Sequence, residues 1–382
     1  MGRGNAGTEI LSRIINQLQN IMNTRNLYSV ITGSGSYLPP VVVPNKKFVG
    51  QSFYNEDGTK IETPGEEIAE KFEQITDISE RRIAEEQYTT SDIAAIAAEK
   101  ALEDAGFNRE KLDYIIIAHN LGDMKSGSLY PDIMPTLASR VKKKLGIKSH
   151  KAVAYDMTFG CPGWTQAMIQ ANYYLKSGDA KSALVIGADT LSRAMDPHDR
   201  DSMIFADGAG AVVLEAVESD EPVGMLKHVT RTDTEEHLDL LMMGDSYNPE
   251  LRHDQKYVKM LGRKVYNYGL TYVPLVAQEC LEINNLTLKD VSKVLIHQAN
   301  AKMDEAILKR IFRLYGEKEA DFSTMPMTIR TLGNSSVATV PTLYDLVTKN
   351  QMEGHALNPG DYVMMTSVGA GMNINAFMYK MP

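Results

Sequence analysis

The 382-residue chain has two cysteines, one tryptophan, no low-complexity tract and no apolar run of membrane-spanning length. Cys161 and Cys280 are too few for a disulfide framework in a chain this long, so a reducing, cytoplasmic setting is expected. A membrane-spanning helix needs about 20 consecutive apolar residues, and neither such a run nor a secretory apolar segment occurs, so no membrane partner is expected. Positive charge is also in deficit. A net charge of −9 argues against a broad nucleic-acid footprint and leaves room only for local basic patches. Gly33-Ser34-Gly35-Ser36 carries glycines but lacks the strand–GxGxxG–helix setting and a following Lys-Ser or Lys-Thr, so it is assigned no nucleotide.

What the chain does have is enough length for two units of similar size. Residues 1–27 place Ile10, Leu11, Ile14, Ile15, Leu18, Ile21 and Met22 at helical spacing, an amphipathic extension expected to pack on the body or on a second subunit. Its polar face holds one cation, Arg13, which disfavours a membrane-surface role. A strand is expected from Tyr28 to Thr32, then turns through Pro40. Phe53 to Glu66 reads as an inserted loop or hairpin, and a helix follows near Gly65 to Gln74. Ser91 is expected to cap a helix reaching Gly106, and Tyr114 to Ala118 is a continuous apolar run of the kind buried on both faces in a parallel sheet.

The chain repeats itself. Leu102-Glu103 and the run from Ile115 recur as Leu281-Glu282 and the run from Val294, at a constant offset of 179 residues, and the same offset relates Leu184-Val185-Ile186 to Val363-Met364-Met365. A repeat this long means a duplicated domain rather than a solenoid. The expected architecture is α/β, in two halves spanning 28–218 and 219–382 and related by a pseudo-twofold. On this alignment Ala118 is the counterpart of His297, and with a loop length differing by about 6 residues between the halves, giving an offset of 173, Cys161 is that of Asn334.

Lys151 to Arg193 carries the strongest chemical signal. The strand Ala152 to Met157 runs into Thr158-Phe159-Gly160-Cys161-Pro162-Gly163, and a helix follows with Trp164, Ala167, Met168, Ala171 and Leu175 on one face and a stop at Ser177-Gly178. A thiol at a helix start is favoured as thiolate by the positive end of the helix dipole. Free cysteine is also one of the most buried residue types and usually packs as a small hydrophobe, so both readings stand at this point. His297 closes the apolar strand Val294-Leu295-Ile296, where open α/β sheets place ligands, and His119 is its competitor in the first half. Asn334 lies in a glycine-flanked turn that fits a helix cap equally well. Ser367-Val368-Gly369-Ala370-Gly371 has the small residues that let backbone N–H groups approach an oxyanion.

Ordered along the chain, Glu80-Arg81-Arg82-Ile83-Ala84, Gly160-Cys161-Pro162-Gly163-Trp164, Asp196-Pro197-His198-Asp199-Arg200, Phe205-Ala206-Asp207-Gly208-Ala209-Gly210, His297-Gln298-Ala299-Asn300, Gly333-Asn334-Ser335-Ser336 and Gly369-Ala370-Gly371 closely resemble the thiolase-fold condensing enzymes, above all the beta-ketoacyl-acyl-carrier-protein synthase III group. The resemblance covers nearly everything from Tyr28 onward. It implies a thiolase-like fold layered αβαβα, a homodimer, and a ping-pong Claisen condensation in fatty acid or related lipid or polyketide synthesis. Cys161 would take an acyl group from a thioester, with the N–H groups of Cys161 and Ala370 as oxyanion hole. His297 and Asn334 would hold the thioester carbonyl of a malonyl extender while CO2 leaves. No metal or redox cofactor is implied; acyl-CoA or acyl-carrier-protein thioesters are the substrates.

Degradative thiolases carry a second cysteine near the place where Ser367 stands, and a 3-hydroxy-3-methylglutaryl-CoA synthase would want a glutamate where His119-Asn120 stands. A thiolase-fold acyltransferase without decarboxylation is the nearest alternative. A Cys-His-Asn hydrolase and a non-catalytic partner subunit rank lower. The family's adenine-clamping tryptophan and arginine are replaced by Lys71 and Ile75, while Arg200 is retained as a coenzyme A contact and Asn300 is a further candidate. Insertions at 53–66 and 121–144 are expected to shape the mouth and wall of the acyl pocket. Lys302, Lys309, Arg310 and Arg313, on the helix after His297, form a candidate docking patch for acidic acyl carrier protein.

Overall fold

The computed structural model describes residues 26–128, 130–251 and 255–382. The amphipathic stripe at 10–22 lies outside the described residues. Two sheets form the frame, beside a short antiparallel pair of β2 (Val41–Pro44) and β3 (Glu80–Ile83). The first has the order β1 (Asn26–Tyr37), β7 (Asp207–Ser219), β6 (Ser182–Thr190), β4 (Tyr114–Ala118), β5 (Val153–Met157), with β4 parallel to both β5 and β6. The second has the order β11 (Val291–Ile296), β12 (Tyr362–Gly369), β13 (Asn373–Lys380), β8 (Gly224–Thr232), with β11 parallel to β12 and the remaining pairs antiparallel. Strand by strand, β4, β6, β7 and β1 correspond to β11, β12, β13 and β8, which is the duplication seen in the repeated apolar runs. Of the apolar run at Tyr114 to Ala118, Ile115 to Ala118 are fully buried and Tyr114, at the start of the strand, is half-buried.

Helices fill three layers. Between the sheets lie α4 (Gly163–Ser177) and α8 (Thr339–Thr348), whose Trp164, Ala167, Met168, Val340 and Leu343 share one core with Ile116, Val185 and Met365. Outside the first sheet are α2 (Thr90–Asp104) and α3 (Leu137–Lys144); outside the second are α5 (Gly262–Ile283) and α6 (Ala301–Leu314). The short α7 spans Ile329–Leu332, and α1 spans Gly65–Thr76. All five apolar positions expected on one face of α4 are buried, and Gly178 ends the helix in the left-handed conformation at φ 78°.

Two local expectations are corrected. β1 does not stop at Thr32 but pairs with β7 as far as Tyr37. The glycines serve packing rather than a turn: a Cβ on Gly33 would sit 2.4 Å from the backbone N of Ala105, and one on Gly35 would sit 2.5 Å from the carbonyl O of Ala97. Gly35→Ala is therefore expected to lower the unfolding free energy by about 1–3 kcal/mol, read as a reduced urea midpoint at unchanged slope. The cap of α2 is Thr89, in a reciprocal capping box with Asp92, because Ser91 is turned to Asp123 at 2.7 Å. The strand before Cys161, β5, lies at the edge of its sheet with Val153 half exposed. The inserted segment at 53–66 is pinned by a bridge between Tyr54 and Lys60, and 121–144 is a loop followed by α3. Among the described residues no helix is long and apolar enough to cross a membrane.

Candidate active site

The parallel strands β4, β5 and β6 of the first sheet and β11 and β12 of the second end toward one place, and the loops leaving them meet there. Cys161 follows β5 and precedes α4, whose first residue is Gly163 with Pro162 as the cap. The loop after β12 abuts it. A Cβ on Gly369 would stand 2.6 Å from the backbone N of Cys161, and one on Gly160, at φ 68°, would stand 2.7 Å from that of Ala370. Only glycine permits this approach, and it sets the backbone of Ala370 beside the sulfur.

His297 is 3% exposed at the end of β11, its N–H bonded to the carbonyl of Thr366 at 2.9 Å. The next residue fixes the far segment. Gln298 donates to the Pro326 carbonyl at 2.8 Å and accepts from the N–H groups of Thr328 and Ile329, which leads the chain through α7 to Gly333 and Asn334. Asn334 is then bridged to residue 205, donating to the Ile204 carbonyl at 2.9 Å and accepting from Ala206 at 2.8 Å. A turn separates Asn334 from α8, so it caps no α-helix directly.

One residue touches all three candidates. Ser336, at φ 54°, donates its hydroxyl to Cys161 Sγ at 3.3 Å and its N–H to Asn334 Oδ1 at 2.9 Å, and its backbone faces the imidazole of His297. A non-glycine residue in the left-handed region is strained; here the side chain of Asn334 holds the turn. The structure thus brings Cys161, His297 and Asn334 to one centre.

Electrostatics depart from expectation at the sulfur. Although the residue is partly exposed to a pocket, burial of the thiol pushes it up to about 11, against a smaller lowering by the Ser336 hydroxyl. The resting state is thiol, not the thiolate expected from the helix start, because desolvation of the charged form outweighs the helix end. Burial pushes His297 down to about 4, so the ring is neutral. Its buried Nδ1 has no hydrogen-bond partner, and His297 lines neither of the two cavities described below.

Two cavities serve the site. The smaller, about 240 Å³, holds Asn120, Cys161, Ser336 and Ala370 at one side and is otherwise apolar, with Leu191, Phe205, Met242, Met243 and Val258 among its walls. The larger, about 420 Å³, is lined by Lys71, Phe72, Ile75, Arg200, Arg263 and Asn300, among others. Phe205 and Val258 face the first while Ile204 and Met260 face the second, so the cavities lie back to back. Leu121 from one inserted region and Thr63 from the other reach the small and large cavity respectively. Asn300 has a structural duty as well, capping α6 through Met303 N at 2.8 Å. Lys302, Lys309, Arg310 and Arg313 are all exposed on α6; Lys309 approaches Glu305 at 4.0 Å, and Arg310 donates to the Leu270 carbonyl.

His119, the competitor of His297, is structural: its Nδ1 accepts from Gly122 N at 3.0 Å and its Nε2 faces Asp156 at 3.1 Å. Arg81 is fully buried under Phe48 and bonds Met203, Val43 and Asn45, so the arginine-rich motif is scaffold. The Asp196 motif is held by buried Lys259, at 2.5 Å from Asp196 and 3.2 Å from Asp199, which anchors β10 (Tyr257–Met260) and its partner β9 (Leu241–Gly244) over the small cavity. Sequence reasoning missed β9 as a pocket wall and gave no role to Ser336, Asn120 or Asp189. Among the described residues no cluster of metal-ligating side chains occurs.

Comparison with known proteins places the chain in a family. Residues 155–234 match the family described as 3-oxoacyl-[acyl-carrier-protein] synthase III, and residues 281–381 match that family's C-terminal region. A beta-ketoacyl-[acyl-carrier-protein] synthase III of Erythrobacter litoralis is 33% identical over 354 residues, 92% of this chain and 99% of the relative. Among solved structures, the 3-oxoacyl-[acyl-carrier-protein] synthase III of Aquifex aeolicus superposes with a TM-score of 0.73 at 28% identity, covering 92% of this chain and 99% of the other. The priming beta-ketosynthase of the R1128 polyketide pathway gives 0.75 at 26% identity, over 94% and 97%. With the thiolase-like fold, the duplicated sheets and a cysteine set against a glycine loop, these matches show that the chain belongs to the beta-ketoacyl-[acyl-carrier-protein] synthase III family of condensing enzymes.

Proposed function

We propose that the protein acylates Cys161 from an acyl thioester and condenses that acyl group with a malonyl thioester, releasing CO2 and a beta-ketoacyl thioester. The observation that carries this reading is that Cys161, His297 and Asn334 all adjoin one residue, Ser336, at the edge of an apolar cavity. In the first half-reaction the sulfur attacks the thioester carbonyl, and the oxyanion is held by the N–H groups of Cys161 and Ala370; Pro162 offers none. The acyl chain occupies the 240 Å³ apolar cavity. In the second, the malonyl carbonyl accepts hydrogen bonds from neutral His297 and from the amide nitrogen of Asn334, whose oxygen is committed to Ser336 N. Loss of CO2 then leaves an enolate whose charge these donors stabilise. Its carbon attacks the acyl-enzyme, a carbon–carbon bond forms, and the Cys161 sulfur departs as thiolate and takes up a proton from solvent, its original proton having left on the donor's thiol.

The larger cavity would take the pantetheine arm of the donor, with Arg200 at its mouth as a phosphate contact. Exposed Lys302, Lys309, Arg310 and Arg313 suit an acidic carrier protein, and the free edge of β5 suits a second copy of the chain. Reversing Lys302 and Lys309 together to Glu is expected to slow use of carrier-bound substrate about 10-fold through encounter rate, while a small thioester is used as before; equal rates with both donors would discard the docking patch. The whole reading is tested by intact mass after incubation with acyl and malonyl thioesters. An acyl adduct on Cys161 and a ketoacyl product with CO2 support it, and free acid as the sole product overturns it.

A further inference from the structure

Behind the sulfur lies a buried carboxylate that the condensation as written does not use. Asp189, near the end of β6, is 1% exposed. It accepts from Asn120 twice, from the backbone N at 2.8 Å and from the side-chain Nδ2 at 2.6 Å. The same Nδ2 donates to the Ser336 hydroxyl at 2.8 Å, and that hydroxyl lies 3.3 Å from Cys161 Sγ. Asn120 therefore brackets carboxylate and hydroxyl with a single nitrogen. The Ser336 hydroxyl in turn helps to hold the charge of Asp189. A chain of polar groups runs inward from the nucleophile and ends on a carboxylate shielded from solvent.

We infer that Ser336 and Asp189 form the proton route of Cys161, with Asn120 as the positioning residue that keeps the two aligned. The inference rests on the acylation of Cys161 proposed above. The Ser336 hydroxyl, which at rest donates to Cys161 Sγ, first turns to Asp189, whose charge it helps to hold; as the sulfur–carbon bond forms, the S–H bond breaks and its proton passes to Ser336 Oγ, while the hydroxyl's own proton passes to Asp189. Collapse of the tetrahedral adduct breaks the bond between the carbonyl and the donor's sulfur. The departing thiolate takes up the proton returned through the same hydroxyl, which leaves Asp189 ionised and Ser336 restored. No other reactant is needed.

Three facts favour this route. The thiol at rest needs a base, since burial holds it protonated. His297 is a poor one, because burial has pushed it down to about 4. Burial pushes Asp189 the other way, up to about 6, so that near neutral pH it is ionised yet a stronger base than an exposed carboxylate. The titratable groups that bear on Asp189 are His119, whose ring favours its charge, and Cys161. Below about pH 6 Asp189 holds a proton and cannot accept another, so acylation should rise with pH through that value.

The test follows Cys161 acylation by intact mass against time, with an acyl thioester in excess, from pH 5 to 8. The wild-type chain, Asp189→Asn and Ser336→Ala are compared, the second variant serving should the first not fold. The expected result is a 10²- to 10⁴-fold slower acylation in either variant, with the rise near pH 6 lost in Asp189→Asn. Acylation of both variants within twofold of the wild type, with the same pH profile, overturns the relay. Absence of an adduct on the wild-type chain overturns instead the nucleophile reading on which the relay stands.

Discussion

Cys161→Ala carries no acyl adduct: incubated with an acyl thioester, its intact mass stays that of the unmodified chain, and condensation falls by at least about 10⁴-fold, as expected when a covalent intermediate is lost. The substitution removes one sulfur from a pocket wall, so the fold should persist with an unchanged circular dichroism spectrum. Resting reactivity of the wild-type thiol is a sharper test of the electrostatics. With the group pushed up to about 11 by burial, only a small fraction is thiolate near neutral pH. Alkylation by iodoacetamide should therefore climb about tenfold per pH unit from 7 to 10 without a plateau. A plateau below pH 8 would mean that the free enzyme already holds a thiolate and that the proton route is unnecessary.

His297→Ala separates the half-reactions. Acylation of Cys161 should remain within about tenfold of wild type, whereas release of CO2 from a malonyl thioester should fall about 10²- to 10³-fold, the cost of one donor to a developing oxyanion. Because the ring stays neutral above about pH 4, the decarboxylation rate owes no pH dependence to this group between pH 5 and 8. Asn334→Asp is the companion. It keeps the acceptor for Ser336 N but sets a negative charge beside the enolate, so its loss should exceed that of His297→Ala. The two sites share Ser336, and the double variant should lose less than the product of the single losses. Decarboxylation that persists in His297→Ala at the wild-type rate would remove His297 from the chemistry.

The repeat of apolar runs at a fixed offset foretold two sheets of matching topology, since a strand buried on both faces must be continuously apolar and two such sets require two sheets. The helix after Cys161 was legible for the same reason, its five buried positions following the helical period. Local reading failed where a distant element decided. The glycines at 33 and 35 look like turn residues until α2 is laid across β1, and then each is seen to spare a clash with a helix backbone. Ser91 looks like the cap until Asp123 claims its hydroxyl.

At the site, residue types and motif order singled out the candidate side chains: a cysteine between glycine and proline, a histidine closing a buried strand, an asparagine in a glycine turn. Their protonation states belonged to the tertiary structure alone. A helix start favours thiolate when the sulfur faces water, but enclosure by β6, α4, the Ser336 turn and the glycine loop removes that water, and the cost of desolvating a charge is larger than what a helix end returns. The same enclosure holds His297 neutral and makes Asp189 a stronger base, and it gathers Asn120 with Asp189 and Ser336, which lie 69 and 216 residues beyond it in the chain, behind a single sulfur.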